Sequence, residues 1–369
     1  MSRLQPVAKE LGFLRASLSI SARLVRLVPV LAVLAVCAGA RSAFAAAKDF
    51  AGPGNFSDAT KWTGGTLPKT GDNLTIEGGA CVFDDAAQNL EYGSIQVGFK
   101  TVASIVWPAG GTNMLHVTGI IKSNAGGTID MSNGGTLRVG SGGWTTTGYT
   151  FVPGTGTVEW DNTSGNATIS PALTTFNNMT VLATGRILSL GGGVTFTGNL
   201  TLEAGTLDVS GVIYPVTVKG NWINNGGTFL PRTGTVTLNG SAAQSIGGSV
   251  STAFNNLTIA NTAATVSCDT SADVSGTLDV SAGAIFSPAA AVVLNSGAAA
   301  GAVTGAGTLR VTRTAATPDL VNQYRFATYT LSGLTVDYTG AGAQTVNSTG
   351  GSYGALVLRA AGPKPWKAR

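Results

Sequence analysis

His116 is the single histidine in the chain. It lies between Leu115 and Val117 in a short alternating run that reads as a strand. One imidazole makes a zinc site or a nucleophile–base pair only with partners brought from elsewhere in the chain, so the expectation is a surface-facing structural histidine. Glycoside hydrolysis or Ca²⁺ capture needs several carboxylates on one face. The best-spaced pair is Glu159 and Asp161, and with Val158 and Trp160 pointing inward, strand alternation puts both on the outside. Asp84, Asp85, Asp269, Asp273 and Asp279 fall at corners or singly, and all of these carboxylates are expected to be solvated surface. No phosphate-binding loop is present, and with 52 glycines a Gly-x-Gly match carries no information. The chain therefore presents no catalytic, cofactor or metal set. Cys81 and Cys268 sit in apolar runs and are expected as small core residues rather than a disulfide.

The elements that must position these residues come from internal repetition. Trp144, Phe151, Pro153, Gly156, Phe176 and Leu200 recur 78 residues later as Trp222, Phe229, Pro231, Gly234, Phe254 and Leu278. Within the unit, apolar residues alternate with Thr, Ser and Asn, and the landmarks Val158, Met179, Leu200, Val218 and Val236 follow one another at nearly even steps. Rungs of roughly 20 residues suit a β-solenoid, in which each coil buries its inward side chains against the coils above and below. Val158, Met179, Leu200, Val218, Val236 and Leu257 are expected to form one inward ladder. The glycine clusters 191–193, 226–227 and 247–248 are read as corners needing positive φ, and Asn177–Asn178 and Asn255–Asn256 as stacked corner amides.

Only 11% of residues are charged, and Thr, Ser and Asn supply most of the polarity, which is strand-surface rather than helix-surface composition. Residues 1–45 differ. Five basic residues from Arg3 to Arg26 precede the apolar run Leu27 to Ala38, and Ala43-Phe44-Ala45 has the small-x-small pattern of a secretory cleavage site. The apolar run is short for a membrane span. Cys37 has Val36 before it, where a lipid-attachment box needs a small residue. Removing this segment takes away 6 of the 22 basic and 1 of the 18 acidic residues, so 16 face 17 and the net charge falls from +4 to −1. The electrostatic footprint of a nucleic-acid binder is absent.

Residues 46–85 read as an entry module, with Trp62 closing one end of the core and Pro68 and Gly71 turning the chain into the first rung. Residues 86–369 form the solenoid, with repeat copies near 144–221, 222–299 and 300–369. The last matches the second at offset 100, Gln344 falling on Gln244, and its extra length places a protruding loop around Pro318 to Tyr324. The third copy breaks off after Leu358. This reads as a reading frame cut within a longer protein, with Trp366 as an alternative cap, and the strand Ala355 to Leu358 is expected to promote end-to-end association.

Asn55, Asp58, Trp62, Gly64-Gly65, Pro68 and Gly71-Asp72 resemble the opening of many secreted bacterial β-solenoid proteins. Together with the repeats, the mature chain resembles the class containing autotransporter passengers and filamentous adhesins. The resemblance implies an all-β, right-handed parallel β-helix, exported to the cell surface or medium. It also implies a structural or adhesive role, with a polysaccharide lyase or glycoside hydrolase as the alternative. The partners expected are surface or extracellular polysaccharide, or other surface proteins. Nucleic acid, cofactors and a membrane-spanning mature chain are not expected.

Overall fold

A computed structural model describes residues 46–84, 90–123, 126–141, 143–145, 149–313, 320–347, 352–359 and 366–367. The expected signal segment 1–45, Asp85, Pro318 and the Pro363–Pro365 tail lie outside the described residues. Residues from Ala45 onward make one compact unit, an all-β parallel solenoid of about 13 turns spaced roughly 22 residues apart, with 3% helix.

Each full turn lays down three short strands, one on each of three faces. Face I is the longest sheet and runs from Glu91–Tyr92 through Gly111–Val117, Gly134–Val139 and Thr157–Trp160 to Ala355–Leu358. Face II begins with five strands from Gly54–Asn55 to Tyr149–Val152 and resumes with eight from Thr175–Phe176 to Thr328–Tyr329. Face III carries Ala47–Ala51, Asn73–Glu77, Ile95–Val97 and Ile121–Lys122, then Ala167–Ile169, Thr228–Leu230, Thr252–Phe254 and Ala272–Val274. The long strands Asn178–Leu190 and Leu200–Asp208 bend round a corner, so that one arm pairs on face I and the other on face III.

Alternation of apolar with hydroxyl residues drives these strands, because it gives each a buried side and a wet side. The inward residues stack in columns. Leu137, Val158, Met179, Leu200, Trp222, Ile246 and Cys268 follow one another on face I. Phe176, Phe196, Val218, Leu238, Ile259 and Val280 do so on face II, and all thirteen are buried. The single ladder expected from the sequence repeat is thereby corrected. Val158, Met179 and Leu200 do stack, but the step from Leu200 to Val218 crosses from face I to face II. Val236 and Leu257 then belong to a second face II column, beside that of Val218, which starts from Val194 and Val216.

Corners are held by amides and by close backbone approach. Asn178 Oδ1 accepts from the backbone N–H of Asn199, Asn199 from Asn221 and Asn221 from Ser245, at 2.8–2.9 Å, so an asparagine stack runs up this corner, whereas Asn256 stands at a face II corner and accepts from the backbone N–H of Thr277. Gln244 and Gln344 make equivalent staples. Each accepts from the backbone of Gly240 or Gly340 and donates to two carbonyls of the turn beneath, Val218 and Gly220 or Val311 and Arg313. Gly248 has the positive φ foreseen for a corner, 110°. Gly191 does not. Its reason is proximity, since a Cβ there would lie 2.4 Å from the carbonyl oxygen of Ile169.

At the start of the solenoid Trp62 is buried, its ring 5.2 Å from Phe50 and 4.8 Å from Phe56, and its indole N–H donates to the Phe56 carbonyl. The loop expected to protrude near residue 320 instead packs inward where it is described. Leu320–Gln323 is a helical turn, and Leu320, Gln323 and Tyr324 are fully buried. The insertion carries its own apolar anchors, which its departure from the Thr/Gly pattern concealed. Further on, Ala355–Leu358 pairs with Thr335–Tyr338, and the backbone of Trp366–Lys367 pairs with Val346–Asn347.

Replacing Leu200 or Leu257 by Asp is expected to unfold the chain, since an unpaired buried charge costs several kcal/mol. Thr201→Ala and Thr258→Ala, on the outer side of the same strands, should move stability by about ±0.5 kcal/mol. Thermal melts followed by circular dichroism check both, and equal losses would overturn the assigned faces.

Candidate functional surfaces

The outward side of face I begins as an ionic column. Strand pairing places Glu91, His116, Arg138 and Glu159 on four successive rungs. Arg138 is held by Glu159, with Nη2 2.6 Å and Nε 2.7 Å from Oε2. His116 lies between two carboxylates, Nδ1 3.7 Å from Glu91 Oε1 and Nε2 3.4 Å from Asp161 Oδ2. Two expectations are corrected here. His116 points outward but is only 7% exposed, because the longer side chains above and below cover it. Glu159 and Asp161 are not freely solvated, their side chains being 20% exposed and ion-paired. The repeat offset compared Glu159 with Thr237, whereas its true neighbours are Arg138 below and Thr180 above.

This column clamps rungs together more readily than it performs chemistry. A general base must reach the proton that it abstracts, and the His116 ring is walled in. Its two carboxylates sit against opposite ring nitrogens rather than converging. Among the described residues no three His, Cys, Asp or Glu side chains are grouped to hold a metal ion.

Several other charged side chains are also held by close partners. Arg232 donates to both oxygens of the nearly buried Asp208 at 2.7 and 2.8 Å, and this bonding holds the Asp208 carboxyl below its usual range. Buried Asp337 receives Arg359 at 2.9 Å and has Arg310 at 3.6 Å. Asp84 accepts from the backbone N–H and hydroxyl of Ser57, while Asp269 and Asp279 each accept from a nearby serine. Cys81 and Cys268 are buried and unpaired as disulfides, as expected. Burial, helped by Asp269, pushes the Cys268 thiol up to about 12, and burial with Asp84 raises Cys81 further.

Face II is different. Its outward column reads Ala80, Ser104, Thr128 and Thr150 in the first block. In the second it reads Thr175, Thr195, Thr217, Thr237, Thr258, Asp279 and Thr304. The Phe151 and Phe176 rings, 5.6 Å apart, link the inner sides of the two blocks. No sequence motif marks this column, because its members recur at uneven steps, one to each coil. Where the sheet ends, Arg325, Phe326, Thr328 and Tyr329 line an open cavity of about 520 Å³ together with Ala299 and Val321.

Comparisons with protein-family models, with curated proteins and with solved structures find no match for this chain. Among the described residues no helix is long and apolar enough to cross a membrane.

Asp208 supplies a pH test. Its depressed carboxyl contributes stability that is complete at neutral pH and is lost as pH falls below the ordinary aspartate range and through the lower folded value. Arg232→Gln should therefore lower the melting temperature at pH 7, with the gap to the parent closing toward pH 2. A gap independent of pH would show that Asp208 is not the partner that matters. Cys81 and Cys268 should resist a thiol reagent at pH 8 in the folded protein and react on unfolding.

Proposed function

We propose that the chain is an exported structural or adhesive module of the cell surface, built to present a long, regular, sparsely charged face and without catalytic activity of its own. The observation that carries this reading is the face II column, in which hydroxyl residues recur rung after rung. Ion pairs elsewhere, such as Arg138 with Glu159 and Arg232 with Asp208, join adjacent turns. The secretory pattern of residues 1–45 and the near-neutral mature charge suit export, and with Cys81 and Cys268 buried and unpaired the fold does not depend on a disulfide between them. Extracellular polysaccharide is the partner class that fits such a face, since a neutral hydroxyl surface gives a polyanion no counter-charge.

One observation favours the alternative of a carbohydrate-active enzyme. Glu91, Glu159 and Asp161 do stand on nearby rungs of face I around His116 and Arg138, the kind of grouping that cleavage of a glycan would use. Expression in a bacterium with a periplasm separates the readings. The exported protein should lack residues 1–45 by mass spectrometry, adhere to polysaccharide-coated surfaces, and release no shortened product from acidic or neutral polysaccharides with or without Ca²⁺. Depolymerisation abolished by Glu159→Gln would establish the enzyme instead, and retention inside the cell with the N-terminus intact would end the surface reading.

A further inference from the structure

We propose that the hydroxyl column of face II is a docking track for an uncharged, extended, β-linked polysaccharide lying parallel to the solenoid axis. This rests on the adhesive reading above and names its ligand class. Threonine is a favoured strand residue, but the column exceeds what a strand requires. On face I the equivalent outward slot holds Glu91, His116, Arg138, Glu159, Thr180, Thr201 and Ile223 in turn, so stacking alone does not select threonine. Nor does duplication. At the repeat offset, Thr195 and Thr217 fall on Asp273 and Asn295, and Thr237 falls on Glu159. The column is assembled from positions that the repeat does not make equivalent.

These hydroxyls are also unengaged. Thr118, Thr145, Thr270 and Thr312 each donate to a backbone carbonyl of an adjacent turn. Thr195, Thr217, Thr237 and Thr258 have no intramolecular hydrogen bond from their side chains among the described residues. Each is left as a donor and acceptor facing outward, which is the complement of a sugar hydroxyl. Their β-branched side chains hold few rotamers, so little freedom is lost on binding.

Charge and spacing choose the occupant. Asp279 is the one acidic member of the column, and it is already bonded to Ser281. The flanking outward positions Thr235, Asn256, Thr277, Ala302 and Thr328 on one side are neutral, and the exposed Lys219 on the other side, two residues beyond Thr217, offsets Asp279 in sign, so the track carries no net charge, which disfavours polymers of uronic acid or amino sugar bearing free charge. Strands stack about 4.8 Å apart, so two rungs advance about 9.6 Å, close to the length of one disaccharide in an extended β-linked chain. At the end of the track the cavity lined by Thr328 continues the same sheet. It offers the apolar and donor groups that hold a sugar ring, namely Phe326, Tyr329 and an Arg325 guanidinium fixed by the Ser296 carbonyl.

Calorimetric titration of the full exported chain with cellohexaose, xylohexaose and chitohexaose, against hexagalacturonate, tests the proposal. At least one neutral ligand should bind, and the variant T195V/T217V/T237V/T258V should bind it about tenfold more weakly or worse, since each lost hydrogen bond weakens binding severalfold. The matching Thr→Ser variant should retain binding, and T180V/T201V on face I should leave it unchanged. If the fourfold valine variant melts early, T217V/T237V replaces it, with a loss of about threefold or more expected. Equal binding by parent and valine variants overturns the track. So does weakening by the face I control, or inhibition of ice recrystallisation without glycan binding. Tight binding of hexagalacturonate that survives the valine changes would overturn it while leaving the adhesive reading standing, whereas binding to no glycan together with no adhesion would remove both.

Discussion

Parallel, in-register stacking of each turn on the one below is the constraint on which the rest of this structure depends. It gives every strand residue two close neighbours that are remote in sequence, about 4.8 Å above and below. Whatever a residue is, it must therefore tolerate something of its own kind. Apolar residues do so by closing a continuous core, and asparagines do so by passing an amide bond from one turn to the next, as Asn178, Asn199 and Asn221 do. Glycines appear where the turn beneath comes too close for a side chain, as at Gly191.

The same constraint explains the chemistry of the exterior. A column of like charges would place them directly opposite one another in a ladder, which is destabilising, so charge is admitted singly, as at Asp279, or in alternating and bridged sets. Arg138 lies beneath Glu159, and Asp337 is flanked by arginines on the rungs before and after it. Everywhere else the outward slots fall to residues that stack without penalty, chiefly threonine, serine and asparagine. The low charge of the composition is thus a consequence of stacking, and it leaves long stretches of neutral hydroxyl surface as the protein's main outward feature.

Much of this was legible in the sequence. Strand alternation identified which residues point inward, and every member of the expected ladder is buried. Trp62, the corner asparagines and the two isolated cysteines also lie where their types and neighbours suggested. The assignment to faces was not legible, because alternation has a period of two and is blind to which of three sheets a strand joins. His116 is the clearest case. Its neighbours in sequence, Leu115 and Val117, indicated a strand and an outward side chain, but Glu91 and Asp161, which help to bury it, come from other coils. Their places beside it are set by turn lengths that vary along the chain. The insertion near residue 320 was misjudged for a related reason, since Leu320 and Tyr324 anchor it through contacts that follow no repeat.

The relation between the two periods resolves why a strong sequence repeat gave so little direct information on surfaces. From Thr157–Trp160 to its repeat equivalent Thr235–Leu238 the chain advances eleven strands, counting each bent strand as two arms. With three strands to a turn, eleven is one short of four complete turns. Equivalent residues therefore land on different faces, and Thr157–Trp160 stands on face I whereas Thr235–Leu238 stands on face II. Inward residues stay inward under this shift, because strand alternation is conserved through it, and the core survives duplication intact. Outward residues acquire new vertical neighbours, so Glu159 meets Arg138 while its equivalent Thr237 meets Thr217 and Thr258. Core and surface are thereby decoupled: the repeat specifies the packing, and any property carried by an outward column belongs to the pairing register instead.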